Sequence, residues 1–353
     1  MFSAPRLEIE TTLKDFLERI SLDLSAISPD LTPVSAEITR FLATGKRFRP
    51  LFAYAGYLGA GGQNDGAQLK NMLKAATSLE LLQACALIHD DLMDGSDMRR
   101  GAPAVHRYFE NYHFENSMRG DKAQFGLSAA ILLGDFALIW ADQLINESGL
   151  SDEQLRRLLP LNDLMRIELI AGQYLDVRES AANTASVERA LKVARYKSGK
   201  YTIERPLHFG ALIAGTSPET ISALTEFGIP LGEAFQLRDD LLGVFGDPET
   251  TGKPAGDDLR EGKRTVLTAI AIENFSTSQL QRFNAHFGDL NISAEHIAEL
   301  RNLITEVGAP EKVETLIDEF TSNSLQALKS THISELSKPY LNELALMATK
   351  RKI

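Results

Sequence analysis

A chain of 353 residues, 44% hydrophobic and 24% charged, has enough length to bury a large core, and that composition excludes a disordered or collagen-like chain. A formal charge of −11 excludes nucleic acid as the main partner, because a phosphate backbone calls for a positive face. One cysteine, Cys85, excludes an internal disulfide and fits a reducing cytoplasm.

The N-terminus, MFSAPRLEIETTLKDF, lacks the basic start and apolar stretch of a secretory signal. Residues 6–28 place Leu7, Ile9, Leu13, Phe16, Leu17, Ile20 and Leu24 at helical spacing, which predicts a surface helix. A second helix is expected over 33–42. Next comes Gly45-Lys46-Arg47-Phe48-Arg49-Pro50, with the proline in the first turn of a helix over 51–58. Basic side chains beside free backbone N–H groups suit a phosphate or diphosphate, and a solvated basic run is the plain alternative.

After a glycine-rich loop at 59–66, residues 79–100 read LELLQACALIHDDLMDGSDMRR. The first half is apolar and free of glycine and proline, which predicts a helix buried on nearly every side. At its far end stand Asp90, Asp91 and Asp94, just before a stop at Gly95. Asp90 and Asp94 share a face, and acids at a helix C-terminus oppose the macrodipole. A hard, oxygen-preferring cation resolves that repulsion, and Mg²⁺ is the candidate. His89 reads as a packing or supporting residue. Arg99 and Arg100 follow in a loop, either neutralising the acids or gripping metal-bound phosphates.

The polar stretch 111–125 predicts a loop, and 126–146 a long helix with Asp135 as a buried structural acid. No integral membrane segment is expected, since Asp135 interrupts the best apolar run, 127–141. A helix over 155–175 ends with Gln173 and Asp176 on one face, followed by a polar linker at 178–186. Residues 187–214 predict a helix, or two joined near Gly199 and Pro206, presenting Lys197, Ser198 and Lys200.

The acidic helix end then recurs in FQLRDDLLGVFGD, where Asp239 and Asp240 follow an apolar stretch and Gln236 lies on their side. Two such ends facing each other across a helical bundle would hold several divalent ions. The loop 246–262 carries Lys253, with Lys263 beyond it; a lid over a phosphate is one reading, and a solvated loop is the default for such composition. From 265 onwards the pattern is helical, and no convincing strand run and no repeat of solenoid length is expected anywhere in the chain. Acids, arginines and lysines over an apolar helix make a diphosphate a better leaving group, and no partnered nucleophile is present. An allylic substrate that ionises once its diphosphate is clamped follows from that set.

The segments GKRFRP, LIHDDLMD…RRG, GQYLD, YKSGK, FQLRDD and GK…EGKRT occur in the order found in the trans-isoprenyl diphosphate synthases (polyprenyl synthetases), which the chain resembles over residues 40–270. The likeness implies an all-α fold, one domain over 1–353 shaped as a large helical bundle with a central cavity. It also implies a homodimer and three magnesium ions with substrate bound. By resemblance, Asp90, Asp91, Asp94, Asp239 and Asp240 bind the metals. Arg99, Lys197, Lys253 and Lys263 contact the allylic diphosphate, and Lys46, Arg49 and Arg100 hold isopentenyl diphosphate. Ser198 and Gln236, with Gln173 and Asp176, lie along the developing cation. Gln83 stands where many members place a histidine, Ser198 where threonine is commoner, and Gly243 where the second motif has a third aspartate. Asp247 is the candidate to compensate.

Product length is steric. Positions 90, 86 and 82 share a face, with 85 and 79 beside it, each residue about 1.5 Å further down the helix. Small Cys85 and Ala86 let the chain grow past the first turn, and Leu82 and Leu79 are candidate floors. The expectation is geranylgeranyl diphosphate (C20), with farnesyl or longer products as alternatives. A class I terpene cyclase would leave the acceptor-site bases without purpose. A non-catalytic subunit of a heteromer would have no need of intact acids. A ferritin-like di-metal bundle lacks its paired Glu-x-x-His motifs, Glu110 with His113 being the sole match.

Overall fold

The computed structural model describes residues 1–182, 184–247 and 256–350. Its helices include α1 (Ser3–Ile27), α2 (Thr32–Leu42), α3 (Phe48–Gly59), α4 (Gly66–Asp94), α5 (Val105–Glu115), α6 (Lys122–Asn146), α7 (Asp152–Ser180), α8 (Val187–Val193), α9 (Arg205–Ala214) and α10 (Pro218–Phe245). Further helices follow at Asp257–Arg260, Val266–Asn274, Thr277–Asn284, Ala294–Glu306, Ala309–Ala327 and Lys338–Thr349. The fold is all-α as expected; among the described residues the one sheet is a two-stranded hairpin. Packing divides the chain into two units. The first comprises Met1–Leu161, Pro206–Thr220 and Ser334–Tyr340; the second comprises Asn162–Arg205, Ile221–Ile333 and Leu341–Ile353.

In the first unit, α1 buries Ile9, Leu13, Phe16, Leu17, Ile20 and Leu24, a stripe at helical spacing, while Leu7 points to solvent. Helix α3 is buried along its whole length because it lies backbone to backbone on α9. A Cβ at Gly56 would stand 2.0 Å from the Leu207 carbonyl oxygen, and one at Gly210 only 1.7 Å from that of Ala53. Helix α4 packs on α6, α3 and α1 and buries Leu79, Leu81, Leu82 and Ile88. Each such side chain contributes about 1.5–3 kcal/mol. The helix ends where Gly95 turns left-handed (φ 67°) and the Ser96 N–H donates to the Asp91 carbonyl at 2.9 Å.

The loop expected after Asp94 is the hairpin, pairing Met98 with Pro103 and Arg99 with Ala102. Its two tip residues, Arg100 (φ 55°) and Gly101 (φ 77°), are both left-handed, as a tight hairpin turn demands.

Some local expectations are corrected. Most of the stretch taken for a loop is helical: α5 covers Val105–Glu115 and α6 starts at Lys122, capped by Asp121. Val105, His106, Phe109 and His113 form the buried side of α5, a stripe that the polar composition masks. Asp135 is 58% exposed rather than buried. Helix α7 runs on to Ser180, into the polar stretch read as linker.

In the second unit, α8 passes into wide π-type turns over Ala194–Glu204, where a joint was expected near Gly199. Backbone proximity explains the widening. A Cβ at Gly232 would stand 2.7 Å from Gly199 backbone atoms, and one at Gly172 only 2.3 Å from the Lys197 nitrogen. Wide turns of this kind recur at functional sites. The unit's core joins Leu237, Leu241 and Val244 of α10 to Leu259, Val266 and Phe283.

Candidate active site

The end of α4 presents its three acids differently. Asp91 is fully buried and accepts from Arg99, whose Nε lies 2.9 and 3.0 Å from the two carboxylate oxygens. Arg99 Nη2 also donates to Asp91 and stands 3.7 Å from Asp90. Asp90 and Asp94 each offer an oxygen within 4.8 Å of the other's. Hard oxygen donors at that separation fit a hydrated Mg²⁺, which takes one or two carboxylates and keeps its waters. The inner acid is thus neutralised by an arginine, and the outer two are set for a cation.

Beside them stands the basic run. Arg47 is the left-handed residue (φ 55°) that starts α3, and it is 2% exposed. It donates to Glu80 at 2.9 Å, to Glu10 at 2.9 Å and to the Leu42 carbonyl at 2.7 Å. Burial works against its charge, yet Glu10 and Glu80 hold it above the ordinary arginine range. Arg47 is therefore the framework that orients its neighbours Lys46 and Arg49. Arg49 is 8% exposed, and the Lys46 ammonium lies 5.9 Å over the Phe48 ring. Arg100 donates to the carbonyls of Phe41 (2.9 Å) and Thr44 (2.6 Å). Burial lowers its pKa; Glu80 opposes the shift, while Arg47, Arg99 and Arg49 add to it by repulsion. Arg49, Arg99 and Arg100 crowd together in this half-dry place, with ion-paired Arg47 as their support, and such a grouping suits a multiply charged anion. Gln83 lies one turn past Glu80, on the same helix.

Below the acids, Leu79 (1% exposed), Leu82 (4%) and Cys85 (8%) are buried, and Ala86 is half-buried. Burial, with Asp135 adding, pushes the Cys85 thiol up to about 11. His89 packs on Gly134, where a Cβ would stand 2.1 Å from its Nε2, and that nitrogen lies 3.1 Å from the Ile131 carbonyl. It supports the helix, as expected.

In the second unit, Asp240 is 2% exposed. It accepts from the Gln236 amide at 2.8 Å, confirming that the two share a side, and from the Val266 N–H at 3.2 Å. Burial pushes its pKa up to about 8, and the charges of Asp258 and Asp239 add to the shift. Asp258 is the residue that sequence reading missed. A Cβ at Gly243 would stand 2.0 Å from Asp258 Oδ2, so this carboxylate occupies the space that a side chain at 243 would take. Spacing along α10 could not reveal it, because Asp258 arrives from the separate helix Asp257–Arg260. Lys197 donates to Asp176 at 2.6 Å, Lys200 pairs with Glu168 at 2.9 Å, and Lys263 lies 3.1 Å from Glu261. Ser198 and Gln173 are half-buried, Ser198 within the wide turns and Gln173 on α7. Lys253 lies outside the described residues.

A family model described as Polyprenyl synthetase matches residues 33–304. The geranylfarnesyl diphosphate synthase of Aeropyrum pernix is 34% identical over 261 residues, 73% of this chain and 75% of that one. The geranylgeranyl diphosphate synthase of Sulfolobus acidocaldarius is 27% identical over 350 residues, 98% and 97% of the two chains. Among solved structures, a geranylgeranyl pyrophosphate synthase from Corynebacterium glutamicum, complexed with isoprenyl diphosphate and magnesium, superposes with a TM-score of 0.94. It is 46% identical, with 99% of this chain and 98% of that chain covered.

Proposed function

The chain belongs to the polyprenyl synthetase family and is a prenyltransferase, and on that premise we propose that it condenses isopentenyl diphosphate head-to-tail with allylic diphosphates to make geranylgeranyl diphosphate. The observation that carries this reading is the placement, in one unit, of a cation-ready acid pair beside the guanidinium groups of Arg49, Arg99 and Arg100, with Arg47 as their ion-paired support. A cyclase would use the acids and have no work for the second set of bases.

Asp90, Asp94 and Asp239 are the residues that would hold the magnesium ions, with Asp91 and Asp240 behind them and a count of three with substrate bound. When bound, the ions neutralise the allylic diphosphate and make it a better leaving group. Arg99, Lys197, Lys253 and Lys263 share its remaining charge, while Lys46, Arg49, Arg100 and Gln83 hold the acceptor. The C1–O bond of the allylic substrate breaks, and Ser198, Gln236, Gln173 and Asp176 face the cation with their dipoles and charge. Its C1 bonds to C4 of isopentenyl diphosphate, and the C2 proton leaves to the released diphosphate. We assign Asp258 the place of the third acid of the second cluster, which Gly243 leaves open.

The buried run Leu79–Leu82–Cys85 supports a C20 product. The C25 name of the Aeropyrum relative supports a longer one, with Leu82 as the deciding level. Product chromatography after incubation with Mg²⁺, isopentenyl diphosphate and each of dimethylallyl, geranyl and farnesyl diphosphate tests the reading. Growth that stops at C20 and needs the acceptor supports it. Hydrocarbon released from the allylic substrate alone supports a cyclase, and inactivity rescued by a second protein supports a heteromeric subunit.

The partner we propose is a second copy of the chain. Helix α6 is apolar and long enough to cross a membrane, yet only 33% of its most apolar window is buried; Ile131, Leu132 and Ile139 are 41%, 59% and 62% exposed. In the second unit, Ile167, Ile170 and Tyr174 of α7 are 65%, 64% and 69% exposed. Such stripes mark interfaces. The lone cysteine fits a reducing, cytoplasmic setting.

A further inference from the structure

In the second unit, two of the chain's seven histidines meet. Ser293 caps the helix Ala294–Glu306, its side chain accepting from the His296 N–H at 3.2 Å. That fixes His296 in the first turn, with Glu299 one turn on and on the same face. His286 comes from the turn after Thr277–Asn284, held by its N–H to the Phe283 carbonyl (3.3 Å) and by the Asp289 N–H to its own carbonyl (3.3 Å). The two imidazoles stack with centroids 3.6 Å apart and planes 13° from parallel. His286, His296 and Glu299 each offer a ligand atom within 4.8 Å of the others. All three are half-buried. Among the described residues, neither ring makes a hydrogen bond to protein.

We propose that His286, His296 and Glu299 form a binding site for one borderline divalent transition ion of the Zn²⁺ type, separate from the magnesium chemistry. Two imidazoles and a carboxylate are the donors such an ion selects, and three protein ligands leave a fourth position for water. Mg²⁺, which prefers oxygen and its own waters, is a poor competitor there. The carboxylate is already oriented: Arg282 donates to Glu299 Oε1 from Nε at 2.9 Å and lies 2.7 Å away through Nη2, leaving Oε2 for the ion. His286 opens the turn 286–293 and His296 lies in the first turn of the helix that follows it, so a bound ion would clip that turn shut. The same turn supports Asp257–Arg260, because the Gly288 N–H donates to the Leu259 carbonyl at 2.9 Å. The proposal does not rest on the prenyl-transfer reading.

Zn²⁺ titrated calorimetrically into the full chain in millimolar Mg²⁺, with Co²⁺ absorption as a second probe, tests it. One Zn²⁺ per chain is expected, together with a visible Co²⁺ band of four-coordinate type. His286→Ala and His296→Ala should each abolish both signals, and Arg282→Gln should weaken Zn²⁺ about 10–100-fold. Circular dichroism melts of the metal-free variants should match the parent, and Mg²⁺-dependent turnover should be unchanged. Zn²⁺ binding of unchanged strength in both histidine variants, or no uptake in the presence of Mg²⁺, overturns the site.

Discussion

The two acidic helix ends look alike in sequence and are stabilised by opposite means. At the end of α4 the buried acid, Asp91, is paired with a chelating arginine, and Asp90 and Asp94 stand outside that pair. On α10 the buried acid, Asp240, is held by two neutral donors, the Gln236 amide and the Val266 N–H, and lies in the field of two more carboxylates. Burial and repulsion there raise the cost of ionisation, so a proton is retained to about pH 8. The first end carries its counter-charge in the chain; the second takes it from outside, as a proton or a metal. The difference shows why a repeated motif is not a repeated mechanism.

The largest effects come from removing the outer acids. Asp90→Ala and Asp239→Ala should each lower kcat for prenyl transfer by about 10²–10³-fold, the loss seen when a single charge-stabilising group is deleted. Circular dichroism should show both variants folded.

The inner acids should split. Arg99→Ala strands a buried carboxylate and should destabilise the protein by about 3–5 kcal/mol in urea unfolding at neutral pH. Asp240→Asn should do the reverse in the metal-free protein. Asp240 has a folded pKa above its unfolded one, so its contribution is complete below about pH 3.8 and is lost as pH rises through about 8. The Asn variant keeps that contribution at every pH, and its Tm should exceed that of the parent by about 2–4 °C or more above pH 8. It should also lose turnover.

Smaller still is the change at the open position. Gly243→Ala drives a methyl into the Asp258 carboxylate and should weaken Mg²⁺ in the ternary complex about 10–100-fold. Gly243→Asp combined with Asp258→Ala should recover part of it. Least in rate, but visible in product, Cys85→Phe should shorten the dominant prenyl chain on chromatography. An unchanged product would remove Cys85 from the floor.

How far the sequence was legible follows from where the information sits. The central helix, its stop at Gly95 and both aspartate pairs are local patterns, and the structure carries them at the expected residues. Helix α5 was hidden because a half-buried helix with one apolar stripe has loop-like composition. The division of labour in the basic run was hidden too. Arg47 and Arg49 are equivalent in spacing, and only the distant Glu10 and Glu80 make Arg47 structural. Asp258 was out of reach for the same reason: its role depends on a contact with Gly243, and nothing near either residue announces it.

The most direct test of the account is calorimetric binding of an unreactive allylic thiodiphosphate in saturating Mg²⁺. One tight site per chain is predicted, lost equally in Asp90→Ala and in Asp239→Ala, because the function we propose has both acidic ends hold magnesium for the same diphosphate. Tight binding that survives either substitution would contradict it.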